Sequence, residues 1–464
     1  MATSISRRQF LAASAAVGAS VLLPSGANAG ITMPSVGGPY WDRFLILIEL
    51  DGGNDGLNTV IPYDVPEYKG TDLVPSRRPN LKYGFSPSSA TYLGMAPYAT
   101  ANSTVGTAQP FALNPSMTHL MSAWNPGTPD THDLAVVLGV GYANPNLSHF
   151  RSMDIWNGGG TPSQFPTDNW LGRLLAAATA PSDLTAHGVL LSRYSSNPLR
   201  RAGVRYLAMS KPDEFVRRSY SMPDTNPGVA TSAHFQHLLT TQHEVYLASG
   251  DFRDALMTPK GTAPVPPTSA DHYDYTPAAM TGSGITFNPN SDFEKRCLSI
   301  AQMIATNRSG VAADKRLKIP VYKVQIGGFD NHSTQKVKHA DLLAQVSSAM
   351  ASLRAALKLH GLWDRALIMT YSEFGRRVEE NGSAGTDHGT ANCHFLLGGG
   401  IQGGFYGAQP GLSKGTGQQD LDSRGNLVAN VDYRNLYATA ATWLGLPYAS
   451  DPYMGGATPL ACFA

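Results

Sequence analysis

Short, nearly continuous apolar runs that stop at glycine and polar residues constrain this chain most. Phe44-Leu45-Ile46-Leu47-Ile48-Glu49-Leu50 ends in Asp51-Gly52-Gly53-Asn54-Asp55-Gly56. That is the pattern of a strand covered on both faces, leaving a parallel sheet through a tight loop. Runs of the same type occupy 133–140, 188–191, 321–326, 366–370 and 394–397, and several end in Gly and a polar residue. Helix patterns lie between them. Ser291-Asp292-Phe293-Glu294 has capping-box spacing ahead of 297–305. A longer pattern covers 334–360, with Leu342, Val346, Met350, Leu353 and Leu357 at helical spacing and Gly361 as its stop. Strands interleaved with helices define an α/β sandwich, with ligands expected at the carboxyl edge of its strands.

The chain has 464 residues, 42% of them hydrophobic, enough for a large core. The stretches 63–127 and 199–289 are richer in Pro, Ser, Thr and Asn and poorly periodic, so they read as insertions over one face of the sheet. One domain over 30–464 carrying these long loops is expected. With 35 Lys plus Arg against 34 Asp plus Glu, the net charge of +1 offers no basic field for nucleic acid. Cys297, Cys393 and Cys462 allow at most one bridge, too few for a disulfide framework or a Cys-based zinc site.

The first thirty residues read as an address. Ser6-Arg7-Arg8-Gln9-Phe10-Leu11 precedes a weakly apolar run over 12–23 and Ala27-Asn28-Ala29, the layout of a twin-arginine signal cut after Ala29. The run is shorter than the roughly 20 residues a membrane span needs. The expected partner is the twin-arginine translocase, the expected destination the periplasm or beyond, with no stable membrane span.

Four clusters at strand ends carry candidate chemistry. Asp51-Gly52-Gly53-Asn54-Asp55 aims carboxylates into a sharp turn, although an Asx-rich turn explains it equally. Asn146-Leu147-Ser148-His149-Phe150 leads into a helix-like 151–156. Ser148 there is either an N-cap or a nucleophile placed where helix N–H groups stabilise an anion. Gly328-Phe329-Asp330-Asn331-His332 follows the 321–326 strand and offers an oxygen and a nitrogen ligand for a borderline divalent ion, unless Asp330 caps the long helix. Ser372-Glu373-Phe374-Gly375-Arg376 and Asp387-His388-Gly389 add a carboxylate, an arginine and another Asp-His pair, with an Arg376–Glu373 salt bridge as the plainer alternative.

On these stretches, with Asp432-Tyr433-Arg434 and Trp443-Leu444-Gly445, the chain resembles the twin-arginine-exported domain-of-unknown-function family 1501. That family belongs to the alkaline phosphatase and sulfatase superfamily. The resemblance implies an alkaline-phosphatase-like three-layer α/β/α sandwich with a mostly parallel sheet, and two divalent metals, usually Zn²⁺, beside a Ser or Thr nucleophile. Residue by residue it implies Asp51 or Asp55 as the first-strand carboxylate and Ser148 as nucleophile. Asp330, His332 and His388 would hold one metal and Glu373 the other, with Asp387 among the candidate ligands. His149 or His388 would shuttle protons, and Arg376 would stabilise developing charge. Two departures from the phosphatases of the superfamily stand out: Phe374 occupies the place of a second-metal His, and Asp330 and His332 are closer than the four-residue spacing usual there, so one or two ions are expected. The expected activity is metal-dependent hydrolysis of a phosphate or sulfate ester, on a small-molecule or polysaccharide substrate. The alternative is a noncatalytic scaffold that binds an exported polysaccharide or protein. A phosphomutase-like transferase is the third reading.

Overall fold

The apolar runs become strands of one twisted sheet. The computed structural model describes residues 39–99, 108–124, 132–192, 196–209, 282–311, 313, 316–413 and 421–463. Its strands are β1 (Phe44–Asp51), β2 (Leu134–Gly141), β3 (Gly188–Leu191), β4 (Tyr206–Met209), β5 (Val321–Gly327) and β6 (Ala366–Tyr371). Next come β7 (Arg376–Glu380) and β8 (Thr386–His388), an antiparallel pair of their own, then β9 (Asn392–Gly398), β10 (Gly404–Gly407) and β11 (Val431–Asp432). The main sheet runs β10-β2-β9-β6-β1-β5-β3-β4, with β11 also on β2.

Of these main-sheet strands β9 alone runs against the rest, pairing antiparallel with both β6 and β2. The 394–397 run was expected to be parallel like the others. Its direction follows from the connection: after β6 the chain stays at one edge to build the β7–β8 hairpin, so the next strand starts from that edge and runs back. The sheet is therefore mixed but mostly parallel.

Alternate side chains of β1 enter opposite cores: Phe44, Ile46, Ile48 and Leu50 on one side, Leu45 and Leu47 on the other. This is why the run is continuously apolar. Helices α1 (His149–Gly158), α2 (Trp170–Ala176) and α5 (Tyr433–Leu444) cover the second face, and α3 (Asp292–Ala305) and α4 (Gln335–Leu359) the first, making three α/β/α layers. The Ser291 hydroxyl accepts the Glu294 N–H at 3.2 Å, so α3 is capped as its sequence indicates. Glu294 reaches back one turn further than a capping box, to the Asn288 N–H at 2.9 Å. Helix α4 stops at Gly361, whose φ of 65° suits glycine.

The first insertion is not merely loop. Val60–Ile61, Gln109–Leu113 and Tyr92–Ala96 form a small three-stranded sheet whose Leu93, Phe111 and Leu113 join the first core. The second insertion opens by adding β4 to the edge of the main sheet, and its stretch 210–281 lies outside the described residues, as do 1–29. All three cysteines are free and buried. Inside the sheet, Lys323 of β5 pairs with Glu49 of β1, both fully buried; Lys323 also donates to the Ser196 carbonyl at 2.8 Å, and the Tyr371 hydroxyl donates to Glu49 at 3.2 Å.

Candidate metal centre

Strand register brings the four clusters to one edge. Asp51 sits beside Gly327, and Glu49 beside Tyr371, so the segments leaving β1, β5 and β6 emerge together. β2 points the same way and feeds 142–148 into α1. The reversed β9 begins at this edge, with Asn392 beside Val140, so His388 is delivered there by a strand about to start rather than one that has ended.

Three imidazoles and a carboxylate converge. Asp330 Oδ1 lies 3.0 Å from His332 Nε2, 3.2 Å from His388 Nε2 and 3.5 Å from His149 Nε2. His388 Nε2 is 3.1 Å from both His149 Nε2 and His332 Nε2. The ligand atoms of His149, Asp330 and His388 all fall within 4.8 Å of one another. Donors placed about 2.0–2.1 Å from a tetrahedral ion are separated by about 3.3–3.4 Å, close to these spacings.

The outer ring nitrogens explain which way the lone pairs face. His149 Nδ1 lies 2.7 Å from Glu373 Oε1, and His388 Nδ1 lies 2.8 Å from the Leu147 carbonyl. Oxygen acceptors there keep hydrogen on Nδ1, leaving each Nε2 as an acceptor turned inward, the usual outer support of a metal-bound histidine. His332 Nδ1 faces Asp387 Oδ1 at 3.6 Å, beyond hydrogen-bond length. Inward lone pairs 3.1 Å apart repel each other unless a proton or cation sits between them. Imidazole nitrogen with carboxylate oxygen is a donor set for a borderline divalent ion such as Zn²⁺, so these residues fit the metal that the resemblance implies.

Local electrostatics follow from packing. The hydrogen bond to Glu373 raises the His149 pKa against the opposing effect of burial, whereas burial lowers that of His388. Burial disfavours ionised Asp330, but the hydrogen bond and charge of Arg376 outweigh it and hold the carboxyl below its usual range. Asp51 is pushed up to about 6 by burial and then by the neighbouring Glu373 and Glu49 charges. Its carboxylate makes no hydrogen bond among the described residues.

Several expected roles change once the side chains are placed. Asp55 is far from the cluster in function: it is fully buried, ion-paired with Arg78 at 2.6 Å and bonded by Gln335. Both contacts fall on Oδ2 and the buried Oδ1 has no partner, but the ion pair with Arg78 makes this carboxylate a structural anion of the first-strand turn, which leaves Asp51 as the first-strand carboxylate near the cluster. Arg376 is 1% exposed and donates to the Gly53, Thr386, Phe329 and Gly52 carbonyls as well as to Asp330. With its guanidinium spent on these acceptors, Arg376 holds the strand-edge loops in register instead of facing a substrate, and it makes no salt bridge to Glu373. Asp387 stands outside the donor cluster, behind His332. His149, expected to shuttle protons, is placed among the donors. Ser148 is the N-cap of α1, yet its hydroxyl makes no capping hydrogen bond and is exposed, between Leu147 and His149, which both touch the cluster. Sequence reasoning missed the Leu147 carbonyl and Arg78; a backbone acceptor carries no residue-type signal, and Arg78 lies in the weakly patterned insertion.

An α/β sandwich with a histidine-rich donor cluster at the carboxyl edge of its strands defines the class of this protein. Residues 42–450 match the family described as protein of unknown function DUF1501, and the chain belongs to that family. Residues 4–24 match the twin-arginine translocation pathway signal sequence, so the chain is addressed for export to the periplasm or beyond. No helix among the described residues is long and apolar enough to cross a membrane. No curated protein sequence matches the chain. Among solved structures it is similar to Ps i-CgsB in complex with k-i-k-neocarrahexaose, at 12% identity and a TM-score of 0.36 over 90% of this chain and 74% of that one. It is also similar to the lipoteichoic acid synthase LtaP from Listeria monocytogenes, at 10% identity and a TM-score of 0.34, over 89% and 74% of the two chains. A third is the PsFucS1 sulfatase from Pseudoalteromonas sp., at 12% and 0.34 over 87% and 68%. Likenesses this distant carry no chemistry across.

Proposed function

We propose that this protein is an exported metal-dependent hydrolase of phosphate or sulfate esters, of the alkaline phosphatase and sulfatase type. The observation that carries the reading is the convergence of His149, Asp330, His332 and His388 at the strand edge, with the exposed Ser148 next to His149 in the chain at the start of α1. A divalent ion held by these donors supplies Lewis acidity and neutralises anionic charge. The chain's own groups do the rest. The first-turn N–H groups of α1 have no acceptor within the helix, so they favour an anion lying over Ser148. The Ser148 hydroxyl oxygen, free of any capping bond, attacks phosphorus or sulfur and displaces the alcohol; water then cleaves the seryl ester. Glu373 and Leu147 keep two imidazoles turned inward, and Arg376 holds Asp330 ionised.

A cavity of about 580 Å³, lined in part by Tyr142, Ala143, Asn144, Thr390 and Asp432, opens along the loop that leads from β2 to Ser148 and is suited to the organic part of the ester. Asp432 on its wall is matched by Arg434 at 2.7 Å.

The test is turnover of 4-nitrophenyl phosphate, bis(4-nitrophenyl) phosphate and 4-nitrophenyl sulfate by protein loaded with Zn²⁺, Mn²⁺ or Ca²⁺. Hydrolysis of at least one, abolished by chelator and by Ser148→Ala with metal content unchanged, is expected. Full activity in Ser148→Ala would refute the covalent route. Bound metal without any turnover across the panel would favour the noncatalytic scaffold instead.

A further inference from the structure

We infer that the strand-edge cluster is a one-metal centre with His149 among its donors, and that Phe374 and Glu373 close the neighbouring position where a second ion would lie. The inference rests on the metal-centre reading above but departs from the two-metal arrangement the family resemblance implies. A second ion would need Asp51, Glu373, Ser148 and the residue after Glu373. Glu373 is 1% exposed and already committed. Its Oε1 accepts the Gly52 N–H at 2.9 Å and faces His149 Nδ1 at 2.7 Å, while Oε2 lies 3.2 Å from the Ser372 hydroxyl, whose one proton also faces the Leu50 carbonyl at 2.7 Å. Turning this carboxylate onto an ion would strip His149 of the acceptor that sets its tautomer and leave a buried N–H unpaired, a costly exchange.

The next position offers no donor at all. Phe374 is buried, and its ring centre lies 4.9 Å from that of His149 and 4.8 Å from that of His388. On its far side the ring is packed so closely against Gly53 that a Cβ there would fall 2.4 Å from a ring carbon. An apolar wedge this tightly held neither ligates nor makes room. Asp51 is left as the one uncommitted carboxylate, too little to replace the hydration shell of a second divalent ion.

His149 gains what that position loses. It follows the N-cap Ser148 on α1, its Nδ1 is buttressed by Glu373, and its Nε2 lies within 3.5 Å of Asp330 Oδ1 and 3.1 Å of His388 Nε2. Glu373 thus acts through His149, as a positioning residue, and not as a ligand.

The experiment loads the purified full chain with Zn²⁺, removes excess by gel filtration, and measures metal per chain by mass spectrometry. One equivalent is expected, and one also for Phe374→Ala, which removes the wedge but adds no donor. Zn²⁺ affinity, measured by chelator competition, is expected to fall more than about 100-fold in His149→Ala and about 10–100-fold in Glu373→Gln. In Co²⁺-loaded protein, His149→Ala should shift the visible ligand-field spectrum, a change that a purely structural role would not produce. Two equivalents in the natural chain, or affinity and spectrum unchanged in a folded His149→Ala, would overturn the inference while leaving a metal-dependent enzyme intact. No bound metal at all would defeat the underlying metal-centre reading and the inference with it.

Discussion

Replacing Arg376 by Met should unfold the strand edge before it affects anything else. The guanidinium donates to Gly53 O at 2.7 Å, Thr386 O at 3.0 Å, Phe329 O at 3.2 Å, Asp330 Oδ1 at 2.7 Å and to Gly52 O. Each buried acceptor left without a donor costs about 1–3 kcal/mol. The four carbonyls belong to buried residues, so water recovers little of that cost. Asp330 is 46% exposed at its side chain, so the ion-pair share is screened and small. A loss of about 4 kcal/mol is expected, about 1 kcal/mol for each of the four carbonyls at the low end of that range. Lys keeps the charge but not the planar fork, and Arg376→Lys should recover about half of that loss. Urea unfolding of metal-free protein, followed by tryptophan fluorescence and circular dichroism, reads both values from midpoints at constant slope. If both variants stay within about 1 kcal/mol of the natural chain with unchanged slope, Arg376 is not what holds these loops.

Two further perturbations test neighbouring parts. Gly52→Ala meets a φ of 116° and puts a Cβ 2.4 Å from the Asp330 backbone nitrogen, so the turn carrying Asp330 must shift; a loss of at least about 3 kcal/mol and a drop in Zn²⁺ affinity are expected, and normal values for both would contradict the packing. In metal-free protein, the Asp51 pKa of about 6 lies above the unfolded value of about 3.9, so the folded state holds this proton more tightly and stability falls as pH rises from about 4 to about 6. The full shift corresponds to about 3 kcal/mol, and partial exposure reduces it to about 1–2 kcal/mol. Asp51→Asn should therefore stabilise by that amount at pH 8 and by almost nothing at pH 4 in urea titrations; an equal gain at both would assign the effect to something other than ionisation.

What could be read from residue order divides along physical lines. The strands β1, β2, β5 and β6 were legible because both faces of each are buried, which leaves a continuous apolar signature. The direction of β9 was not, because a strand's residues carry no mark of which way it runs; only the hairpin before it decides. Asp330 stood out by residue type just after an apolar run, and His388 shortly before one. Asp55 stood out equally, but its Arg78 partner comes from an insertion without period, so nothing local distinguished an ion-paired structural anion from a ligand. Arg376 looked like an exposed catalytic cation since burial of an arginine depends on carbonyls contributed by three other loops. His149 could be recognised as chemically active from its place beside Ser148, whereas its choice between proton carrier and donor depends on Glu373, 224 residues away.

The reversed β9 also decides how the cluster yields under load. His388 ends β8, is bridged to Arg376 across the hairpin, and is joined to β9 by only Gly389, Thr390 and Ala391. Gly389 and Gly375 leave space for no side chain there, since a Cβ on either would fall within 2.3 Å of backbone atoms. His388 is thus bolted between two sheets, while Asp330 and His332 ride on the loop between β5 and α4. Under the metal-centre reading His388 is one fixed jaw of a vice, and the opposite jaw is braced too, by Arg376 on Phe329 and Asp330 and by the Asn381 amide on the His332 carbonyl. A metal there would have to match a gap set from both sides, and alterations to β9 would change whether the site exists more than what it holds.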